Sequence, residues 1–558
     1  MSLIDTEDRN FSMLINKLAK VWQNHVNYDY LRYINLSDEQ IKVIEHEDEQ
    51  MLINGYAGTG KSITLLYKFI DKVVRNNGKL RMLFVSYNNT LIEDIKKRLE
   101  ESQEYIKNRD KHFIDILTFH QMAKKILITI NINQKSPTRI TAKTEVWDRG
   151  DIYRRVAAIA YAYRDKKYDK YKCIPSEERL YVTHTDDFIT DEIIWMKANG
   201  FIEKGKYLEV ERTGRTRCIR LTRNQRNTIF KIFSEYEEQL KNKYHNTMDL
   251  HDYALEILKN MDFISDEIKY DYIFVDEVQD LEAMQIKVLA NMVNKAIILS
   301  GDPRQSIYKR TPYSYEKLGL NIAKKGRTKV LNKNFRSTME IIKLANSIEF
   351  MDMEIKKLSE KFFVYNGEKP VIVYKKSFKE QLDYVLNKIK QIFQKDSNEN
   401  VAIIYRDDKN MSIQNKSQFK TYLEYSLKTS VLGVKDYGKK FKYNKSRQVF
   451  YTNIYDIKGL EFDNVFVIQF DKRHYPNDKE YEKLFQYKES EGVEKDALKE
   501  DIDEINNREK KLLYVAMTRA KKRLYMVYSG NLETAISPFV KDFDTRDFNA
   551  VGFRKTMV

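Results

Sequence analysis

Eight consecutive residues near the start of the chain have the types and spacing of a loop that binds phosphate. The segment from Gly55 to Ser62 reads GYAGTGKS, which fits the pattern G-x-x-x-x-G-K-[ST]. In such a loop glycines let backbone N–H groups point at phosphate oxygens, the lysine reaches the terminal phosphates, and the hydroxyl holds Mg²⁺. We therefore predict that Lys61 and Ser62 bind a phosphate-bearing ligand and a magnesium ion. The remaining contacts are assigned to the loop residues Gly55, Ala57, Gly58, Thr59 and Gly60.

A pair of acids, Asp276 and Glu277, directly follows the apolar run Tyr272 to Val275. At that position one carboxylate can bind Mg²⁺ through water while its neighbour orients and deprotonates an attacking water. By itself, such a pair is more often only the cap of a loop. The carboxyl ends of parallel strands meet at one edge of a sheet, so the pair is predicted to join the phosphate loop in one hydrolysis site.

The order of the predicted helices and strands that position these residues indicates an α/β fold. A helix-start signal at residues 37–39 is followed by a short apolar run and then by the glycines, which gives the order helix, strand, phosphate loop. Further short apolar runs are separated by longer amphipathic stretches, as in buried parallel strands joined by crossover helices. The predicted strands are 51–53, 80–87, 272–277, 295–302, 401–406 and 464–470.

Two segments interrupt this alternation. Residues 121–236 have mostly helical periodicity and one predicted β-hairpin, with arms at 207–210 and 218–221. Around that hairpin, residues 203–226 carry eight basic and three acidic side chains, which fits either a contact with nucleic-acid phosphates or a solvated basic face. Residues 472–511 alternate in charge and are predicted to be a solvated helix or a mobile loop.

Composition excludes several classes of protein. The 558 residues include only two cysteines, so a disulfide framework is excluded and a cysteine metal site is not expected. We find no apolar run of membrane-spanning length and no signal-peptide pattern, and we expect a cytoplasmic protein with no membrane partner. The formal net charge of +16 favours a polyanionic partner such as nucleic acid, although base composition of the genome explains it equally well.

The motifs taken together resemble the UvrD/Rep type of superfamily 1 DNA helicase. They stand in the order of that family and extend over residues 37–528. Besides GYAGTGKS, they are LSDEQ ending at Gln40, LFVSYNNTL at 83–91, TFH at 118–120, VDEVQD at 275–280, SGDPRQSIY at 300–308, NFRST at 334–338, KGLEFDNVFV at 458–467 and LLYVAMTRAKKRLY at 512–525.

The resemblance implies two RecA-like parallel-sheet domains, with a mainly helical insertion in the first. The expected division is 1–33 as an N-terminal helical extension, 34–120 and 237–325 as the first domain, 121–236 as the helical insertion with the basic hairpin, 326–540 as the second domain, and 541–558 as a C-terminal tail.

It also implies that ATP and Mg²⁺ bind in the cleft between the two domains. The first domain would supply Lys61, Ser62, Asp276, Glu277 and Gln305, with Ser62 and Asp276 holding the metal. The second would supply Arg336 and Arg519, which match the family's arginines that reach the γ-phosphate. By the same resemblance, Gln40 would read the adenine edge, Phe335 would stack on the ring and Glu461 would lie near the ribose.

For the nucleic-acid track the resemblance points to aromatic and polar side chains in the family's strand-contacting motifs. The chain departs from the family where Lys309-Arg310-Thr311 follows QSIY, so an arginine plane replaces an aromatic ring. It departs again at residues 453–456, where Asn-Ile-Tyr-Asp replaces Thr-x-His-Ser and places an acid near the expected strand path. The expected track residues are Tyr87, Thr118, His120, Tyr308 and Arg310.

The expected activity is a Mg²⁺-dependent, DNA-stimulated ATPase that moves 3′ to 5′ on single-stranded DNA or at junctions and unwinds duplex. Only 122 positions separate Arg336 from Lys458, so the large second insertion of classical relatives is expected to be missing. Alternatives are an RNA helicase, a switch that gates a partner nuclease or effector without unwinding, and a scaffold with an inactive site. DNA repair, replication restart and defence against foreign DNA are the candidate pathways.

Overall fold

The computed structural model describes residues 29–31, 34–87, 89–134, 140–141, 143–213, 215, 221–243, 247–305, 312–351, 363–407, 413–433, 436, 446–485 and 495–557. The strands are β1 (Gln50–Gly55), β2 (Arg81–Ser86), β3 (Phe113–Thr118), β4 (Glu145–Trp147), β5 (Thr247–Asp249), β6 (Tyr270–Val275), β7 (Val293–Gly301), β8 (Thr328–Leu331), β9 (Val371–Lys375), β10 (Val401–Tyr405), β11 (Val431–Leu432), β12 (Val449–Asn453), β13 (Phe462–Ile468), β14 (Ala520–Ser529) and β15 (Asn549–Val551).

The helices fill the connections between these strands. They are α1 (Asp38–Glu45), α2 (Lys61–Arg75), α3 (Asn89–Glu101), α4 (Gln103–Asn108), α5 (Phe119–Gln134), α6 (Arg149–Arg164), α7 (Asp169–Lys172), α8 (Asp186–Ala198), α9 (Lys204–Glu209), α10 (Arg223–Asn242), α11 (Asp252–Lys259), α12 (Ala283–Asn291), α13 (Met339–Asn346), α14 (Phe378–Lys395), α15 (Ile413–Leu427), α16 (Asp478–Phe485) and α17 (Lys495–Met517).

Two parallel sheets confirm the predicted α/β class. The first has the strand order β3-β2-β6-β7-β1-β8 and the second has the order β11-β12-β10-β13-β14-β9-β15. Every pairing in both sheets is parallel. Helices cover both faces of such a sheet, which is why its inner strands, such as β2 (RMLFVS), are buried along nearly their whole length.

The order of the first sheet brings three strand ends together. Strand β7 lies between β6 and β1, and all three strands run in the same direction. The residues that follow them, Asp276, Asp302 and the phosphate loop after Gly55, therefore lie side by side at one edge of the sheet. Ahead of β1, the predicted helix start is confirmed: Ser37 and Gln40 form a reciprocal capping box at the beginning of α1.

A helical subdomain is inserted between β3 and β6, but its predicted start at residue 121 is too early. Helix α5 packs into the core beneath the first sheet through Phe119, Met122 and Ile126. The inserted cluster begins instead near Trp147, where β4 pairs with β5 and so joins the entry and exit of the insertion. Apolar positions at helical spacing predicted α5 correctly, but not the core in which it is buried.

The predicted β-hairpin in the insertion is wrong in its first arm. Residues Lys204–Glu209 form the short helix α9, with Tyr207 fully buried; the second arm at 218–220 lies outside the described residues. Glu192 of α8 draws the basic side chains inward, accepting hydrogen bonds from Arg212 and Arg215 at 2.7 Å. Arg226 donates to three backbone carbonyls at the C-terminal end of α9. Much of this basic charge therefore serves the subdomain's own packing.

We expect Glu192→Gln to lower the free energy of unfolding of the insertion by about 3 to 5 kcal/mol, because it leaves two buried guanidinium groups without their counter-charge. Arg212 and Arg215 hold the pKa of Glu192 below its ordinary value of 4.5 although burial opposes them. The stabilisation is therefore present above pH 4.5 and is lost only as the pH falls below it. Calorimetry together with hydrogen exchange of α8 would measure the change.

The control is Glu203→Gln, which removes an exposed ion pair with Lys206 and should lower the free energy of unfolding by no more than about 1 kcal/mol. Equal decreases in the two variants would contradict the expectation.

The charged segment at 472–511 forms helices α16 and α17, and it is not simply solvated. Leu498 and Ile505 of α17 are buried in the same apolar cluster as Trp147 and Phe233 of the insertion. The carboxylate of Glu192 and, more weakly, that of Asp501 in α17 raise the pKa of Arg212, although burial of the guanidinium lowers it. Helix α17 therefore connects the insertion to the second domain.

The two ends of the chain differ from expectation in different ways. The predicted extension at 1–33 lies almost wholly outside the described residues, although Tyr30 and Leu31 are buried in the first domain's core. The predicted tail at 541–558 is wrong because β15 pairs with β9 and extends the second sheet. Within the part of the chain that the structure describes, no helix has both the length and the apolar character needed to cross a bilayer.

Candidate nucleotide site between the two sheets

The phosphate loop connects β1 to α2 and has the backbone that its glycines predict. Gly58 and Gly60 adopt left-handed φ angles of 81° and 79°. A Cβ atom on Gly58 would lie only 2.6 Å from the side-chain nitrogen of Asn334, so a larger residue would push the loop away from the next domain. The Lys61 ammonium, which is 7% exposed, donates to the carbonyls of Gly55 and Tyr56 at 2.9 and 3.0 Å. Burial lowers the pKa of Lys61, against the carboxylates of Asp302 and Glu277.

Ser62 and Asp276 meet as the sequence predicts. The Ser62 hydroxyl donates to Oδ1 of Asp276 at 3.1 Å, and the Ser300 hydroxyl donates to the same oxygen. Burial and the neighbouring Glu277 raise the pKa of Asp276 to about 6. A nearby cation would stabilise the charged form of this carboxylate. A hydroxyl and a carboxylate oxygen are ligands that Mg²⁺ prefers, so this donor set fits the ion.

Glu277 is held in an unusual backbone conformation beside this oxygen set. Its φ of 53° and ψ of 47° lie in the left-handed region, which costs a residue with a side chain about 1 to 3 kcal/mol and is common at functional sites. The Gln279 amide donates to its carboxylate. Although burial opposes it, Lys458 and Lys61 hold the pKa of Glu277 below its ordinary value, so Glu277 is a carboxylate that can accept a proton.

Side chains that precede two strands of the second sheet face this edge of the first sheet. Glu461 and Arg519 come directly before β13 and β14, whose first residues are paired. The buried Arg519 guanidinium donates to Oε1 of Gln305 at 2.8 Å. Burial and the nearby Arg336 lower the pKa of Arg519 to about 10, so it stays charged at neutral pH.

A second link between the domains passes through Lys458, which sequence reasoning did not select. Its ammonium lies 2.5 Å from Oδ1 of Asp280 and donates to the Gln305 carbonyl at 2.6 Å. Lys458 and Asp280 each lie in a sequence motif, but they are 178 positions apart. No local pattern in the sequence indicates that two such distant residues form a pair. Next to Lys458, Gly459 approaches Leu91 so closely that a Cβ atom would lie 2.3 Å from Cδ2 of that leucine.

Ten of the predicted nucleotide residues line one cleft, whereas Gln40, Gly55, Ala57, Thr59 and Phe335 lie outside its lining. Arg336 forms an ion pair with Glu461, the residue expected near the ribose. Gln40 lies against Gly60, and its amide oxygen accepts from the Ser37 backbone. Phe335 is half-buried, its backbone N–H donating to the Gly58 carbonyl at 2.9 Å. The cleft is lined by Gly58, Gly60, Lys61, Ser62, Ile63, Leu66, Leu91, Asp94, Ile95, Arg98, Asp276, Glu277, Gln305, Arg336, Gly459, Glu461, Arg519 and Lys521.

The expected nucleic-acid track is only partly visible. Tyr87 is 39% exposed, as a base-stacking ring must be. Thr118 is buried and shares reciprocal hydrogen bonds with Gln121 at the start of α5, which is a capping role. His120 lies beside the Tyr253 ring, and burial lowers its pKa. Tyr308 and Arg310 lie outside the described residues.

Comparison with known proteins finds the same two-part organisation. A family model for the UvrD/REP helicase N-terminal domain matches residues 36–310, and one for the UvrD-like helicase C-terminal domain matches 329–427 and 409–531. A probable DNA helicase II homolog of Mycoplasma capricolum is 26% identical over 384 residues, covering 66% of this chain and 49% of that protein. The ATP-dependent DNA helicase PcrA of Bacillus subtilis is 23% identical over 429 residues, covering 73% and 51%. The chain thus spans about half the length of these relatives.

Proposed function

Because the chain belongs to the UvrD/Rep helicase family, we propose that it hydrolyses ATP to move 3′ to 5′ along single-stranded DNA and to unwind duplex at junctions. One observation carries the proposal: Arg519 and Lys458 of the second domain contact Gln305 and Asp280 of the first, beside Lys61, Asp276 and Glu277. A terminal phosphate bound there would touch both domains at once. A cytoplasmic location is part of the proposal, since DNA is the substrate.

In the proposed reaction, water attacks the γ-phosphorus of ATP, the bond to the β–γ bridging oxygen breaks, and ADP and inorganic phosphate leave. Glu277 orients the water and accepts its proton. Lys61 exchanges its two loop carbonyls for oxygens of the β- and γ-phosphates. Arg519 and Arg336 neutralise the charge that develops on the transferred group. Mg²⁺, held by Ser62 and Asp276, would add charge neutralisation to the phosphate oxygens.

Movement follows from the same contacts. While the γ-phosphate is present, it adds a shared partner for the arginines of one domain and the lysine of the other, so the closed arrangement is favoured. Once phosphate leaves, that added attraction is lost and the domains separate more easily. A strand held across both domains would advance with each cycle. Tyr87 is a candidate base-stacking residue in this track.

The proposal is tested by the ATPase activity of the purified protein with single-stranded DNA, duplex DNA, RNA of the same sequence and no polynucleotide. We expect single-stranded DNA to stimulate most, and Lys61→Ala to lower the stimulated rate by about 10²-fold or more, because it removes the cation that meets the terminal phosphates. Equal turnover by Lys61→Ala would contradict the site, and greater stimulation by RNA would contradict the substrate. Strand displacement by the protein alone tests unwinding; its absence alongside ATP turnover would favour a switch that acts on a partner.

A further inference from the structure

The loop that carries Gln305 also carries a buried arginine with no role in the proposed reaction. Arg304 lies in the short turn Pro303–Gln305 after β7 and is 4% exposed. Asp302 fixes this turn: its carboxylate accepts from the Arg304 backbone N–H at 3.0 Å and from the Gln305 amide at 2.8 Å. Because one carboxylate binds both residues, the position of Arg304 is coupled to that of Gln305, which contacts Arg519.

The Arg304 guanidinium contacts two separate parts of the molecule, and its charge acts on a third. Its central carbon lies 4.3 Å from the centroid of the Tyr56 ring in the phosphate loop, which is a cation–π distance. One of its nitrogens donates to Oδ1 of Asn346 at 2.5 Å. Burial and the Asp302 charge raise the pKa of the Tyr514 phenol, and the nearby Arg304 opposes that rise. Arg304 therefore joins the phosphate loop to α13 of the second domain, and the turn that holds it packs against α17.

Those two helices adjoin the arginines of the proposed ATP site. Asn346 is the last residue of α13, and Arg336 lies three residues before Met339, the first residue of that helix. Tyr514 lies in the last turn of α17, and Arg519 lies two residues after Met517, the last residue of that helix. The guanidinium of Arg304 thus contacts the helix next to one proposed finger, and its turn packs against the helix next to the other. Neither contact places Arg304 on the lining of the nucleotide cleft.

Arginine suits this position better than lysine. Its planar group can stack on a ring with its face while its edge donates hydrogen bonds in fixed directions. A lysine ammonium would keep the charge over Tyr56 but has no planar group to stack on the ring while donating to Asn346. The two contacts thus depend on the shape of the guanidinium as well as on its charge.

We propose that Arg304 is a positioning residue, which sets Arg336 and Arg519 relative to the phosphate loop through α13, α17 and Tyr56. This inference rests on the proposed ATPase function and adds a residue to it that does not touch the nucleotide. Small displacements of catalytic groups are costly, and a misplacement of about 1 Å can lower a rate by about 10²-fold. Loss of Arg304 should therefore slow the chemical step more than it weakens nucleotide binding.

The test compares Arg304→Met, Arg304→Lys, Asn346→Ala and the double variant Arg304→Met/Asn346→Ala, with Arg109→Met as an exposed control. Steady-state kcat and KM for ATP are measured with saturating single-stranded DNA. Affinities are measured for a non-hydrolysable ATP analogue and for ADP with aluminium fluoride, which mimics the transferred phosphoryl group. Thermal unfolding of each variant reports whether it folds.

We expect Arg304→Met to lower kcat by about 10- to 10²-fold with KM little changed, and Arg304→Lys to recover part of the loss. Affinity for ADP with aluminium fluoride should fall while affinity for the ATP analogue is kept. The double variant should lose no more than Arg304→Met alone, because both changes break one contact. If Arg304→Met does not fold, Arg304→Lys and Asn346→Ala carry the test.

Three outcomes would overturn the inference. They are wild-type kcat in the Arg304 variants, equal losses of affinity for the two nucleotide complexes, and additive effects of Arg304→Met and Asn346→Ala. If the wild-type protein turns over no ATP, the proposed function fails and takes this inference with it. Wild-type turnover with fully active Arg304 variants would remove only the inference.

Discussion

Arg519→Ala is expected to lower DNA-stimulated kcat by about 10³- to 10⁵-fold, the range associated with arginine fingers. The guanidinium is 1% exposed and already contacts Gln305 across the domain boundary. It is therefore placed to stabilise charge on the γ-phosphoryl group without further reorganisation. The substitution leaves the contacts between the phosphate loop and the nucleotide in place. Affinity for a non-hydrolysable ATP analogue should therefore change much less than kcat. Steady-state kinetics and equilibrium titration measure the two quantities.

Two further variants separate this role from stability. Arg519→Lys keeps the charge but loses the fork that binds phosphate oxygens in two directions, so its rate should lie nearer to that of alanine than to that of the wild type. Arg546→Ala removes an exposed arginine paired with Asp544 and should leave kcat unchanged. A kcat of wild-type size in Arg519→Ala would show that the cleft does not work as proposed.

Glu277→Gln should give a protein that binds ATP but hydrolyses it about 10²- to 10⁴-fold more slowly, the usual contribution of a general base. The amide fills nearly the same volume and can still contact Gln279, but it cannot take a proton from water. Loss of its negative charge also leaves Lys458 and Lys61 freer to attract phosphate, so ATP affinity should be kept or increased. Single-turnover hydrolysis and nucleotide titration are the measurements.

The matched control for this variant is Glu316→Gln, which changes an exposed glutamate in a surface turn. It should hydrolyse ATP at the wild-type rate. Hydrolysis by Glu277→Gln within a few-fold of the wild type would mean that another group accepts the proton, and Asp276 would then be the nearest candidate.

Local pattern was enough to predict the phosphate loop, the acidic pair and most strands, because each depends on residues that are neighbours in the chain. The insertion was predicted less well. Its hairpin prediction came from a glycine turn between apolar residues, whereas α9 is stabilised by Arg226 binding its last carbonyls. That contact joins residues 16 to 19 apart, which periodicity does not detect.

The links across the cleft could not be predicted for a related reason. Lys458 with Asp280, and Arg304 with Asn346, pair side chains that are 178 and 42 positions apart. Each residue by itself is an ordinary charged or polar residue. Only the relative placement of two sheets gives them a partner, and that placement results from packing over the whole interface.

Helix α17 gives the molecule a lever arm. Its 23 residues make a rod of about 35 Å at 1.5 Å per residue, with the candidate nucleotide cleft at one end and the inserted subdomain at the other. A pivot of about 5° at the Arg519 tip would sweep the opposite tip through about 3 Å. A small change of angle at the cleft would thus reach the insertion as a larger displacement.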